Sequence, residues 1–188
     1  MSRAGQGWLP VWLHLALIGA ASLASLRLSA QVDALYRASG HPAGHMRGQL
    51  SFSAETMIQH FAVMHDAGTL DLYRQSQILD FALIACYAVL ALVTGMLLAR
   101  LGGPGSLGRR LGLAGAGLGL AGAAADLLEN LTSLHMLAQP QEIATLTAIV
   151  YSSFAALKFL CLLIAGGVLI AALVVGLAER LAGAYRPR

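Results

Sequence analysis

Apolar residues along this chain gather into four long blocks separated by short polar stretches. A helix that crosses a bilayer needs about 20 mostly apolar residues. Residues 8–30, 78–99, 111–137 and 143–178 each reach that length. Asp80 is the one ionisable residue of the second block, and Lys158 the one of the fourth. Pro10, Pro42, Pro104, Pro140 and Pro187 all lie at or outside the block ends, where a missing N–H does least harm to a helix. The pattern predicts an all-α fold, a bundle of four transmembrane helices forming a single domain over residues 1–188. The first block is read as a retained span. Leu28 is a poor −3 residue for signal cleavage, the apolar run is long for a signal peptide, and Trp8 and Trp12 read as interface anchors.

The segment between the first two spans, residues 31–75, has a different texture. Ser39-Gly40-His41-Pro42-Ala43-Gly44-His45 reads as an irregular loop. Ser53 and Glu55, followed by Met57, Ile58, Phe61 and Met64, predict a short amphipathic helix that Gly68 would end. Such a helix is expected either to lie on the outer interface or to cap the bundle with its apolar side on the helix ends.

Composition narrows the function classes. Of 188 residues, 57% are hydrophobic and only 11% charged, with a mean hydropathy of +0.70. Soluble domains carry about 25% charged residues. The net charge of +3 comes from scattered arginines rather than a basic stripe, so no nucleic-acid partner is expected. The first partner implied is the lipid bilayer itself. The arginines also carry orientation. Arg3, Arg100, Arg109, Arg110, Arg180, Arg186 and Arg188 share one side with the single acid Glu179. Arg27, Arg37, Arg47 and Arg74 share the other side with five acids. The positive-inside rule then places both termini in the cytoplasm, in a multi-pass protein of the cell inner (plasma) membrane, with residues 31–75 facing outward.

The third span holds the sharpest pattern. Gly108, Gly112, Gly115, Gly119, Gly122, Asp126, Glu129 and Ser133 alternate steps of four and three, which is one stripe on one helix face. Glycine in a membrane helix admits a second backbone at close range, so the stripe should face another helix and carry Asp126 and Glu129 inward with it. Asn130 lies beside them. In the second span Tyr73, Gln77, Asp80, Ile84 and Tyr87 follow the same spacing. In the fourth, Tyr151 lies two turns from Lys158, with Phe154 between them. Counting 1.5 Å per residue from the cytoplasmic helix ends, Asp80, Asp126, Glu129, Lys158 and Arg27 all fall about 24–33 Å up. One polar layer near the outer face is therefore expected, with Tyr73 and Gln77 at its upper edge.

Ionised groups near mid-membrane cost roughly 2.5–3.5 kcal/mol each, so Asp80, Asp126, Glu129 and Lys158 left unpaired would cost on the order of 10 kcal/mol. They must pair. Three acids against Lys158, or against Lys158 and Arg27, leave an acidic excess. A protonated carboxyl, an inward-reaching Arg74 or a bound cationic group would relieve it.

These residues resemble a known pattern. Asp126-Leu127-Leu128-Glu129-Asn130, Tyr73-xxx-Gln77-xx-Asp80 and Lys158 are similar to an uncharacterised family of small bacterial four-helix integral membrane proteins, over residues 53–165. The resemblance implies the fold and highlights these polar positions, without supplying an activity. Two positions depart from it. Ile84 stands where the family commonly has proline, and Phe159 where it has tryptophan.

Other features carry less. His41 and His45 are four apart, but Pro42 and Gly44 break any helix between them, so no metal site is expected. His60 and His65 do not share a helix face. His14 and His135 fall near opposite membrane faces, which argues against a haem held by both. Cys86 and Cys161 stand singly and read as small core residues. Gly102-Gly103-Pro104-Gly105-Ser106 lacks the lysine of a phosphate loop and reads as a turn. No cofactor is named by the sequence.

The expected function is an intramembrane polar pocket near the outer face that binds a small molecule, a lipid head group or an ion or proton, with a transport role in view. Its expected residues are Tyr73, Gln77, Asp80, Asp126, Glu129, Asn130, Lys158 and Arg27. The alternatives are an intramembrane enzyme acting on a lipid, with Asp126, Glu129 and Lys158 as an acid–base set, and a structural or assembly subunit. Four helices are few for a stand-alone carrier, so a homodimer or larger membrane complex is an expected assembly. The charge bias predicts that a reporter active only in the cytoplasm will be active when fused after Arg188 and inactive when inserted at Gly44. The reverse result would invert the topology.

Overall fold

The computed structural model describes residues 9–184. Six helices run through them in the order α1 (Val11–Ala38), α2 (His45–Gln49), α3 (Ala54–Asp66), α4 (Leu70–Ala99), α5 (Leu107–Ala138) and α6 (Thr145–Ala184), and no strand occurs among the described residues. Four of them, α1, α4, α5 and α6, are long and apolar enough to cross a membrane. The expected all-α bundle is the observed one. Arg3, Trp8, Arg186, Pro187 and Arg188 lie outside the described residues.

Helix bounds differ from the apolar blocks. α1 continues eight residues past Ala30, and α4 begins eight residues before Ile78. A helix does not stop where lipid stops. It stops at a breaker, and here the breakers are the Gly40–Pro42 turn and Gly68, whose φ of +69° suits a residue without Cβ. The connecting segment is thus 39–69, not 31–75, and it contains two short helices rather than one. α3 is the amphipathic helix expected from the pattern. The Ser53 hydroxyl accepts from Thr56 N at 3.2 Å as its N-cap. His45 begins α2 instead of belonging to the loop.

Residues 39–69 form a cap over one end of the bundle. Met57, Phe61 and Met64 of α3 are buried against Tyr36, Tyr73, Met136, Leu137 and Tyr151, with Ile58 half-buried beside them. Polar ties fix the cap at its edges. The Tyr36 hydroxyl donates to Ala43 O at 2.8 Å and the Thr69 hydroxyl to Ser39 O at 2.6 Å. Phe52 N donates to Ser152 Oγ of α6 at 3.1 Å, which holds Phe52 at a φ of +51°.

α5 is the centre of the bundle, flanked by α4 and α6, and α1 rests on the far side of α4. Every member of the predicted stripe on α5 is buried. The four–three spacing resolves into two series of seven-residue steps with different partners. Gly108, Gly115 and Gly122 meet α6 at Gly176, Leu169 and Leu162, whereas Gly112 and Gly119 meet α4 at Ala99 and Ala91. α6 answers with its own small residues. Ala148, Ser152, Ala155 and Ala172 are fully buried. Between Tyr151 and Lys158 the inward residues are therefore Ser152 and Ala155, and Phe154 is only half-buried.

The end away from the cap is closed tightly. Glu179 of α6 accepts from Leu107 N at 3.1 Å and Gly108 N at 3.3 Å, a carboxylate on the positive end of the α5 dipole. The Ser106 hydroxyl accepts from Arg109 N at 3.2 Å on the same turn, and Arg100 donates to Leu9 O. At Gly112 an added methyl carbon would stand 2.6 Å from Ala99 N and 2.8 Å from Gly95 O. Both are backbone atoms and cannot swing away. Gly112→Ala is therefore expected to destabilise the protein by about 1–3 kcal/mol, the usual cost of overpacking. Gly117→Ala, where nothing lies within 4 Å, should leave stability unchanged or slightly raised. Thermal unfolding of both variants in one detergent checks the contrast.

Candidate functional site

The stripe on α5 changes from glycine to acid at Asp126, and α6 brings Lys158 to the same level. Lys158 Nζ lies 3.0 Å from Asp126 Oδ1 and 2.5 Å from Glu129 Oε2. All three side chains are buried, Glu129 completely, and Glu129 Oε1 has no hydrogen-bond partner. One ammonium thus serves two carboxylates.

Asp80 of α4 stands apart from that triad. Its Oδ2 accepts from Asn130 Nδ2 at 2.7 Å, and the same amide reaches Gln77 O at 3.5 Å. No cation pairs with Asp80 among the described residues. Gln77 is only 4% exposed, and its Oε1 has no partner. Both face a cleft of about 430 Å³. Asp126 and Lys158 complete its polar floor, Val32, Leu83, Tyr87, Phe159 and Leu162 form its walls, and Asp33, His45 and Gln49 stand at its mouth under the cap. α1 and α6 both line the cleft while making little direct contact with each other, so helix packing does not close the cleft on that side.

The structure brings together six of the eight expected site residues: Gln77, Asp80, Asp126, Glu129, Asn130 and Lys158. Tyr73 lies one layer nearer the cap. It is buried against Ser133 and Tyr151 and lines a separate small cavity with His41 and His60. Arg27 does not join the cluster. α1 packs through His14, Ala21, Ser25, Val32 and Tyr36, all on one face, and Arg27 points away from that face and is exposed. Two residues past Ser25 is about 200° around a helix, a rotation that depth counting ignores. Arg74 does not reach in either. It donates to Asp71 at 2.9 Å and to Leu137 O at 3.1 Å, covering the C-terminal end of α5.

Asp33, His45 and Gln49 are cleft residues that the sequence reading missed. The signal for Asp33 was present in the seven- and four-residue spacing of the buried face of α1, which places Asp33 beside Val32. His45 Nε2 lies 3.8 Å from Asp33 Oδ1, and its ring stacks on Tyr36 at 3.6 Å between centroids. Burial lowers the pKa of His45, while Asp33 opposes that shift. Burial also pushes His41 down to about 4 and lowers His60. The cap therefore presents neutral imidazoles packed against tyrosine near pH 7. Among the described residues no group of three His, Cys, Asp or Glu side chains is placed to hold a metal ion. Cys161 is buried and Cys86 half-buried, each a free thiol.

Compared with family models, with curated proteins and with solved structures, the chain matches none of them.

The triad generates a stability test. Lys158→Met strands two buried carboxylates and is expected to cost about 3–5 kcal/mol, as removal of one partner of a buried ion pair does. Adding Asp126→Asn and Glu129→Gln to it removes the stranded charges and should restore a large part of that loss. Unfolding midpoints of the single and triple variants decide the matter. If the triple variant is no more stable than the single one, the triad is not the source of the cost.

Proposed function

We propose that this chain is a multi-pass membrane protein whose cleft binds a small polar or amphiphilic ligand near the outer face of the cell membrane, with both termini cytoplasmic. Membership of the four-helix family that its Asp126–Asn130 run, Asp80 and Lys158 resemble is part of the same reading. The observation that carries it is the pairing of a roomy cleft with polar groups that the protein does not satisfy itself. Buried polar atoms are almost always hydrogen-bonded, and one without a partner costs about 1–3 kcal/mol. Gln77 lines the cleft and its buried Oε1 bears that cost, while Asp80 beside it has one amide donor and no cation among the described residues. A network that served only to pin helix register accounts for Asp126, Glu129 and Lys158. It gives no reason for Gln77 and Asp80 to face a cavity of this size. Ionisable groups inside a membrane are by default read as functional.

The experiment is recovery of bound small molecules. The protein is purified from its own membranes in mild detergent, and the extract is compared by mass spectrometry with that of Asp80→Asn. A species retained by the natural protein and depleted at least about tenfold in the variant, equivalent to 1.4 kcal/mol, supports the reading, provided thermal stability is unchanged. Equal recovery from both proteins overturns it. Time-dependent conversion of a lipid extract, abolished by Glu129→Gln, would instead support the enzyme reading.

A further inference from the structure

The cleft has a chemical bias that narrows its ligand. Its polar groups differ in what they have left to offer. Lys158 is committed to Asp126 and Glu129. The Asn130 amide is committed to Asp80. The charged groups that remain toward the cleft are acceptors: Asp80, held by a single amide donor, and Asp126, which shares its ammonium with Glu129, with the Gln77 side chain beside them. Asp33 adds a third carboxylate at the mouth. A phosphate or carboxylate would meet these oxygens with no uncommitted lysine or arginine among the described lining residues to bind it. A group with several N–H donors and a positive charge would satisfy them together. Gln77 and Asp80 stand three residues apart on one face of α4 and both line the cleft, so they are close enough to serve one head.

The shape adds a second property. Above this floor the walls are apolar, and Tyr87 and Leu162, each 37% exposed, line the cleft and also reach the outer surface of the bundle. The gap between α1 and α6 leaves this side uncovered. A hydrocarbon chain attached to the head can leave through it into the bilayer. We propose that the cleft takes a primary ammonium carried on a hydrocarbon chain, its head between Asp80, Gln77 and Asp126 and its chain passing out between α1 and α6. This rests on the reading of the cleft as a ligand site.

A lipid with an amine head group and a free long-chain amine share this chemistry, and the test separates them. The full chain is placed in phosphatidylcholine nanodiscs, and saturable uptake of radiolabelled dodecylammonium, dodecanol and dodecanoate is measured above protein-free discs. Dodecylammonium alone is expected to bind saturably, and butylammonium far more weakly. Asp80→Asn and Gln77→Leu should each weaken binding about tenfold or more, and Asp80→Glu should retain it. Thermal unfolding of each variant shows that it is folded. Competition by phosphatidylethanolamine in the discs identifies a lipid as the source, and its absence identifies a free amine. If dodecanoate or dodecanol binds saturably and Leu83→Trp abolishes that binding, the cleft remains a site and the ammonium assignment is overturned. If no probe binds saturably, both the assignment and the site reading fail.

Discussion

One ammonium shared by two carboxylates holds the two longest helices of this bundle, α5 and α6, together at the level of the cleft. Such a contact is favourable only at short range and with good geometry, because desolvating each ion costs several kcal/mol. The glycine seam supplies the range. With Gly108, Gly115 and Gly122 against α6, the backbones approach closely enough for Glu129, seven residues beyond Gly122, to meet Lys158 directly. The sharing also has a consequence for charge. Because Lys158 is consumed by Asp126 and Glu129, no cation among the described residues pairs with Asp80, and the chemistry of the cleft follows from that shortage.

The arrangement of helices explains why the shortage is accessible. α5 is covered on two sides by α4 and α6, while α1 touches the bundle mainly through α4. A closed four-helix ring would pack α1 against α6 and fill the space above Asp80 with side chains. Here α1 leans on α4 through small or polar residues such as Ala21 and Ser25, and the angle between α1 and α6 stays open below the cap. His45 and Gln49 of α2 then border the mouth, so the cap shields the polar floor from one end without filling it.

Much of this was legible in the sequence because membranes simplify the code. Apolar length marks the spans, and a stripe of glycines at steps of four and three can only be a helix contact when it persists over five members. Asp126, Glu129 and Asn130 inherit their inward direction from that stripe, and Asp80 and Gln77 from the matching spacing on α4. What failed was reasoning from depth without rotation. Arg27 has the right height and the wrong azimuth, and hydropathy carries no azimuth for a helix whose outer face is as apolar as its inner one. The helix bounds failed for a related reason. Apolar length reports where lipid ends, while Gly40, Pro42 and Gly68 report where the helices end. Asp33 and His45 escaped notice because they lie just beyond the apolar blocks, in helical turns that only the breakers reveal.

The size of the side chains along α5 gives the bundle a direction. At one end Gly108 and Gly112 leave room for nothing but the neighbouring backbones, and Glu179 closes the turn. Toward the other end the same face carries Asp126, Glu129 and Ser133, and Asp126 borders the cavity. The result is a chamber with a mouth and a side opening but a sealed base. A continuous aqueous pore along this axis would require Gly112 to part from Ala99 and Gly108 from Gly176, undoing packing too tight to admit even a methyl group. Entry and exit through the mouth or the gap between α1 and α6 require no such break. The geometry therefore favours access from the capped end or from the side over conduction through the bundle.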